Sequence, residues 1–556
     1  MDNMDFDLRS IQDARDLCKY GSVAAERIAK YTEEQIDKIL RNMVKVAEEH
    51  ALELAQLAVE ETGFGKVPDK AYKNHAASTL VYNYIKDMKT QGVISEDPVN
   101  KMFEVADPVG LIMGIVPSTN PTSTVIYKSM IAVKARNAIV FSPHPSALKC
   151  TSRAAKLMAQ AAVDAGAPSD TIGCLSMCTM EATNELMHND AIKLIIATGG
   201  PGMVKAAYSA GKPAIGVGAG NSPSYIERTA DVKKAVSNII ASKTFDNGTI
   251  CASEQSIIVE ECNHDAVVAE LKAQGAYFLN PDELRKVCKI LFKNGHTMNA
   301  KYVGRSAKVI ADGAGICVPD NTTVLIGLQT GVGEDNLLSY EKLTCVLGFY
   351  VVRDWHEACE LSMKLLQNGI GHTMNLHTQD EKIVREFAVK PASRILVNTG
   401  GSMGGTGLST GLAPAFTLGC GTMGGSSVSE NVTPLHLINK KTVCYGIKNV
   451  TTMVSDDATF YRNNTALESM RNETCSAIPA TPISYSTGCN SCGCDAQSPA
   501  SFVRNPMAAA HAACVTGTQV ADKNIDSRNM ASTEEGINLE QLKDMINGLV
   551  SAMKGE

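Results

Sequence analysis

Between residues 21 and 62 apolar side chains recur every three or four positions. Ala24, Ile28, Ile36, Ile39, Leu40, Met43, Val44 and Val46 stand among Glu and Lys. That spacing predicts helix. From about residue 105 to 215 the pattern changes. GLIMGIVP (110–117), NAIVFSP (137–143) and IKLIIATGG (192–200) are short apolar runs closed by Gly or Pro, and they predict buried strands. Segments 151–165 and 203–209 predict the helices that follow them. Strands alternating with helices at this interval imply βαβ units and a parallel sheet. A second stretch of the same kind, 226–425, carries the strand-like QSIIVE (255–260), LGFYVV (347–352) and SRILVN (393–398). The fold class expected is α/β.

After about residue 448 the pattern lapses. Residues 451–536 are rich in Ser, Thr, Asn, Ala and Pro and predict a flexible linker. The chain then recovers one helical face, with Leu542, Met545, Ile546, Leu549, Val550 and Met553 in register and Asn538 with Gln541 as a start signal. A short amphipathic helix on a tether needs a surface to dock on. Leu8, Ile11, Ala14 and Leu17 repeat the spacing more weakly near the N-terminus.

Composition narrows the function classes. A chain of 556 residues exceeds one compact domain. A net charge of −7 argues against a general nucleic-acid surface. The longest apolar candidate, 109–117, falls far short of the ~20 residues that span a bilayer. The N-terminus MDNMDFDLRS is acidic where a secretory signal is basic, so a cytoplasmic protein is expected. Its 17 cysteines then belong to a reducing compartment, where the question is which thiol reacts. Cys489, Cys492 and Cys494 form a C-x₂-C-x-C group without a clear fourth ligand, although Cys475 or Cys514 could serve. No metal site is expected there.

The sharpest chemical signal is KTFDNGTICASEQ (243–255), which sets Cys251 just after a turn that glycine permits. A free thiol is only ~3% thiolate at neutral pH, so a nucleophilic cysteine needs a local donor or positive field. Gly199, Gly200, Pro201 and Gly202 follow a strand and open a helix, whose free N–H groups favour a pyrophosphate. Gly216, Gly218 and Gly220 imitate a dinucleotide fingerprint but lack its third spacing and its helix.

These motifs, in order with PSTNPTST (117–124), NAIVFSPHP (137–145), ATGGPGMVKAAYSAGKPAIGVGAGNSP (197–223), GIGHT (369–373) and LAPAFTLGCGTMGGSSVSENV (412–432), resemble the coenzyme A-acylating branch of the aldehyde dehydrogenase superfamily. The resemblance covers roughly residues 5–445. It implies a Rossmann-type cofactor domain with N-terminal helices (1–225), an α/β catalytic domain (226–430) and a return or oligomerisation segment (431–450), followed by the linker (451–536) and terminal helix (537–556). It implies Cys251 as nucleophile, Asn120 as oxyanion donor and His372 as a proton-transfer group near the thiol. Pro117, Ser118, Thr119, Ser142, His144, Gly199, Gly200, Gly202, Gly218 and Glu341 would bind the cofactor, with Glu341 on the nicotinamide ribose. His144 stands where a lysine usually meets the adenosine ribose, which leaves NAD expected and NADP open. Cys345 stands where a proline commonly follows that glutamate.

Hydrolytic members carry a water-activating glutamate at the place of Val217, so the acyl group here is expected to pass to coenzyme A. The implied reaction is reversible oxidation of acetaldehyde or propionaldehyde to acyl-CoA. Alternatives are a hydrolytic enzyme or acyl-phosphate reductase of the same superfamily, or a non-catalytic assembly protein. Bifunctional relatives add an alcohol dehydrogenase domain, but only 112 residues follow Cys444 and they hold no His-rich constellation. The tail resembles encapsulation peptides, which implies bacterial-microcompartment shell proteins as partners and a location inside the shell. A homodimer or homotetramer is expected, with no nucleic acid or membrane partner.

Overall fold

A computed structural model describes residues 5–448. The chain divides into two units, Met1–Cys444 and Tyr445–Glu556, and the sheets and cleft belong to the first. The linker, the cysteine triplet and the terminal helix expected from sequence lie outside the described residues.

The first sheet has five parallel strands: β1 (Leu111–Ile115), β2 (Ala138–Ser142), β3 (Ile172–Cys174), β4 (Ile192–Thr198) and β5 (Ala214–Val217). Their spatial order is β3-β2-β1-β4-β5. The order reverses between β1 and β4, and open α/β sheets bind ligands outside the strand ends at such a point. Every residue of β1 and β2 is buried, as a sheet covered on both faces requires. Helix Pro121–Lys134 is buried along its whole length. Its Lys128 donates to the carbonyls of Ile115 at 2.7 Å and Ile196 at 2.9 Å, clipping β1 to β4 at the reversal. Burial holds that amine well below its ordinary pKa.

The second sheet has seven parallel strands: β6 (Ser222–Ile226), β7 (Glu254–Glu260), β8 (Ala276–Leu279), β9 (Val324–Leu328), β10 (Val346–Val352), β11 (Gly371–His377) and β12 (Ala392–Val397). Their order is β8-β9-β10-β7-β6-β11-β12. The chain leaves the first sheet at Val217 and enters the second at Ser222, through the Gly218–Gly220 link rather than a helix. A small antiparallel sheet joins Gly92–Asp97, Met102–Pro108 and Ile438–Cys444.

The continuous helical pattern of 21–62 is in fact three helices, Phe6–Ile28, Glu33–Glu49 and Ala51–Thr62. The first break comes where Thr32 and Gln35 form a reciprocal capping box, which starts a new helix and so ends the old one. Periodicity sees helix in both segments and is blind to the turn. Of the N-terminal amphipathic face, Ala14 is buried and Leu17 packs against the core beneath it, while Leu8 is 54% exposed. Ala14, Cys18, Ala24 and Ala25 of Phe6–Ile28 share a core with Leu111, Met113 and Val140 of the first sheet.

Candidate active site

A cleft of about 410 Å³ runs along the C-terminal ends of β1, β2 and β4. Its floor is made by the residues that leave those strands: Pro117, Ser118 and Thr119 after β1, Ser142 to Pro145 after β2, and Thr198 to Pro201 after β4. Helix Pro201–Ser209 begins here with proline in its first turn and no side-chain cap; Pro201 carries no N–H, and the N–H groups of Met203 and Val204 turn back to the Gly200 carbonyl. A Cβ on Gly200 or Gly202 would meet no heavy atom within 4 Å, leaving room for a phosphate to approach the backbone. These features fit a dinucleotide pyrophosphate.

The other end of the cleft holds Cys251, Asn120, Glu341 and Val217. Cys251 is delivered by a left-handed turn, with φ of 49° at Asp246, 53° at Asn247 and 75° at Gly248. Left-handed non-glycine residues cost about 1–3 kcal/mol each and persist only where their surroundings hold them. Here the hold is visible. Asn247 Nδ2 donates to the Gly304 carbonyl at 2.9 Å, and the Asp246 carboxylate is buried against Lys70 and Lys73. Asn120 sits immediately before helix Pro121–Lys134. Its Nδ2 donates to the Thr249 carbonyl at 2.9 Å and makes a long 3.3 Å contact with Thr119 Oγ1, the weaker bond that an incoming oxyanion can replace. Its Oδ1 accepts from Lys73 Nζ at 2.7 Å, which fixes the direction of the amide.

Burial pushes the Cys251 thiol up to about 12, the nearby Glu341 adds to the rise, and Arg394 opposes it. The ligand-free site therefore stores a protonated thiol. Burial also raises Glu341 to about 7, although the Gly220 N–H donates to its Oε1 at 3.0 Å and favours the ionised form. Burial works against ionisation of Asp246, but Lys73 and Lys70 outweigh it and keep its carboxyl below the usual range. Burial pulls Lys73 down to about 8, with Asp246 opposing.

Of the residues expected from sequence, Cys251, Asn120, Pro117, Ser118, Thr119, Ser142, His144, Gly199, Gly200, Gly218 and Glu341 share this one cleft. Val217 lies in its wall. Gly202 is exposed in the first turn of its helix, outside the wall. His372 does not line the cleft. It is fully buried behind Gly220, where a Cβ would come within 3.3 Å of its Nδ1. That Nδ1 pairs with Thr373 Oγ1 at 2.8 Å, and Nε2 has no partner among the described residues. Burial, followed by the Arg394 charge, pulls the imidazole down to about 3, so it is neutral at physiological pH. Cys345, in the place of the usual proline, is buried beneath the nucleophile turn.

Several residues were missed by sequence reading. Lys70 and Lys73 stand three apart on helix Val67–His75, and their only sequence signal was two cations on one face of a short helix. Thr406, Phe416 and Leu418 complete the cleft wall beside Ile250 from a distant part of the chain.

Residues 5–285 match the model of the aldehyde dehydrogenase family. The chain belongs to that family. It is 51% identical over 434 residues to the bifunctional aldehyde-alcohol dehydrogenase AdhE of Escherichia coli K12, a match that takes in 77% of this chain and 49% of that protein. The chain thus spans about half the length of that curated relative. An acetylating aldehyde dehydrogenase from Geobacillus thermoglucosidasius has a solved structure that is 52% identical, with a TM-score of 0.79, over 80% of this chain and 99% of that one. A propionaldehyde dehydrogenase from the Clostridium phytofermentans fucose utilisation bacterial microcompartment is 26% identical, with a TM-score of 0.71, over 79% of this chain and 98% of that one.

Proposed function

We propose that this aldehyde dehydrogenase-family chain oxidises a short aldehyde such as acetaldehyde or propionaldehyde to its acyl-CoA thioester, reversibly, through Cys251. The observation that carries the reading is one cleft holding a nucleotide-sized floor, Cys251 beside the Asn120 amide, and Val217 in place of a hydrolytic base. The name of the Escherichia coli relative supports an aldehyde substrate, and that of the acetylating Geobacillus enzyme supports acyl transfer.

Bound NAD supplies the hydride acceptor. Ser142, His144, Gly199 and Gly200 would hold its adenosine and pyrophosphate, and Glu341 would meet the nicotinamide ribose. The wall formed by the described residues offers no lysine or arginine to a 2′-phosphate, which favours NAD over NADP. The Cys251 thiol gives its proton to solvent in the open cleft as its sulfur adds to the aldehyde carbon. The Asn120 Nδ2–H and the Cys251 N–H receive the negative oxygen, and collapse with hydride loss leaves a thioester on sulfur. Coenzyme A then enters the vacated cleft, and its thiolate displaces Cys251 in a second oxyanion step. His372, buried behind Gly220 and pulled down to about 3, is too weak a base to take the coenzyme A proton, which leaves to solvent in the open cleft. With no carboxylate at Val217, water competes poorly.

The decisive experiment mixes protein, NAD, acetaldehyde or propionaldehyde, and coenzyme A, with Cys251→Ala as control. Acyl-CoA from the wild type and none from the variant is the expected result. Free acid formed without coenzyme A overturns the acyl-transfer reading, and an active Cys251→Ala overturns the nucleophile. A homo-oligomer is proposed, and the segment 537–556 is proposed to dock on microcompartment shell proteins, a reading supported by the fucose-microcompartment relative. Deleting 537–556 should abolish shell co-assembly and leave the solution rate intact; loss of the rate overturns that role.

A further inference from the structure

We propose that Lys73 is a positioning residue for the oxyanion steps, aligning and polarising the Asn120 amide while Asp246 balances its charge. The inference rests on the assignment of Cys251 and Asn120 above and adds the group that makes the amide an effective donor.

The geometry is specific. Lys73 lies on helix Val67–His75 and is 1% exposed. Its Nζ reaches three oxygen acceptors: Asn120 Oδ1 at 2.7 Å, Asp246 Oδ2 at 2.5 Å and Thr249 Oγ1 at 3.1 Å. An ammonium has three N–H groups, so each finds a partner and none is left over. A neutral amine would forfeit one of these bonds. The three acceptors have separate consequences. Asp246 belongs to the left-handed turn that presents the nucleophile. The Thr249 hydroxyl donates a hydrogen bond to the Asp246 carboxylate at 2.7 Å, and its carbonyl accepts from Asn120 Nδ2. Asn120 Oδ1 is the far end of the proposed oxyanion donor. A positive charge on that oxygen draws electron density from the amide nitrogen and strengthens its N–H toward a developing anion. It also prevents the amide from turning its oxygen into the cleft.

Lys70 supplies the internal comparison. Its Nζ also binds Asp246 Oδ2, at 2.9 Å, but its other bond goes to the Thr119 carbonyl at 2.8 Å rather than to Asn120. Both lysines neutralise the buried carboxylate. Only Lys73 touches the amide. A purely structural role would therefore make the two interchangeable.

The test is a pair of variants, K73M and K70M, read alone and with N120A. Single-turnover NADH formation without coenzyme A isolates the first oxyanion step, and transfer from a preformed acyl-enzyme to coenzyme A isolates the second. Removing a whole oxyanion donor costs about 10²–10³-fold, and removing only its polarising partner is expected to cost K73M about 10–100-fold in both steps. The aldehyde KM should move little. K70M should lose far less than K73M, and K73M added to N120A should lose no more than about twofold, because the interaction it breaks is already gone. Equal losses in K70M and K73M overturn the proposal. So does a K73M penalty that persists in full on the N120A background. If K73M does not fold, K73Q is read in the same cycle. An active Cys251→Ala overturns the underlying catalytic reading, whereas an inactive Cys251→Ala with an additive cycle overturns only the role of Lys73.

Discussion

Replacing Gly220 by alanine brings a methyl group against the nucleophile from behind. An ideal Cβ at Gly220 lies 2.0 Å from the Cys251 carbonyl oxygen and 2.9 Å from its carbonyl carbon, where real Cβ contacts stay beyond 3.0 Å. About one ångström must be found, and it must come from backbone, because no flexible side-chain end is the obstacle. Two couplings carry the shift into the site. The Gly220 N–H donates to Glu341 at 3.0 Å, and His372 Nδ1 stands 3.3 Å from the new methyl. A misplacement of about 1 Å at a reacting group costs on the order of 10²-fold in rate. Overpacking a tight site costs about 1–3 kcal/mol in stability. The assay is the pre-steady-state burst of NADH with saturating aldehyde and no coenzyme A, alongside Tm from thermal melting. Gly218→Ala is the companion, since a Cβ there meets no heavy atom within 4 Å. It should leave Tm unchanged and act only on nucleotide affinity. A Gly220→Ala burst within about threefold of wild type, with unchanged Tm, refutes the reasoning.

Two further outcomes follow from the same site and core. Val217→Glu restores a carboxylate to the cleft wall, and general-base assistance is worth about 10²–10⁴-fold, so free acid should form without coenzyme A at least tenfold faster than in wild type. An intact burst with no extra acid contradicts the assignment of that position. The second outcome concerns pH. Burial lowers His372 from 6.5 to about 3 and His377 from 6.5 to about 4. Below pH 6.5 the unfolded chain binds protons at these two histidines that the folded chain refuses, so their contribution to stability falls with pH from 6.5 toward 4, while Glu341 and Glu254, raised by burial to about 7, contribute in the opposite sense. The slope reaches at most about 1.4 kcal/mol per pH unit per histidine. The readout is therefore a difference: on going from about pH 7.5 to about 5.5 the urea midpoint of His377→Asn should fall less, or rise more, than that of wild type. An unchanged separation removes His377 from the account.

Much of the architecture was legible because buried parallel strands are written as unbroken apolar runs. GLIMGIVP, NAIVFSP and IKLIIATGG enclose β1, β2 and β4. The strand-end loops after them carry most of the cleft floor. Local pattern was weaker at breaks between helices of one period, which is why 21–62 resolved into several helices only through the Thr32 capping box.

Cys251, Asn120 and Glu341 were picked out by the resemblance of their motifs to a family; taken alone, the residue types read as a structural cysteine, a turn residue before Pro121 and a solvated glutamate. Their meeting in one cleft was not a property of any segment. Asn120 is 131 positions from Cys251, and Glu341 another 90 beyond it. The three converge because two parallel sheets place their loops on a common opening. The Lys73–Asp246–Asn120 network has no sequence signature at all. A buried charge is tolerated only where partners from other elements satisfy it, and those partners are chosen by tertiary packing. The same holds for His372. Its motif suggested a group at the thiol, and the fold sets it one glycine behind, with Gly220 kept free of a side chain because nothing larger fits between the imidazole and the nucleophile's carbonyl.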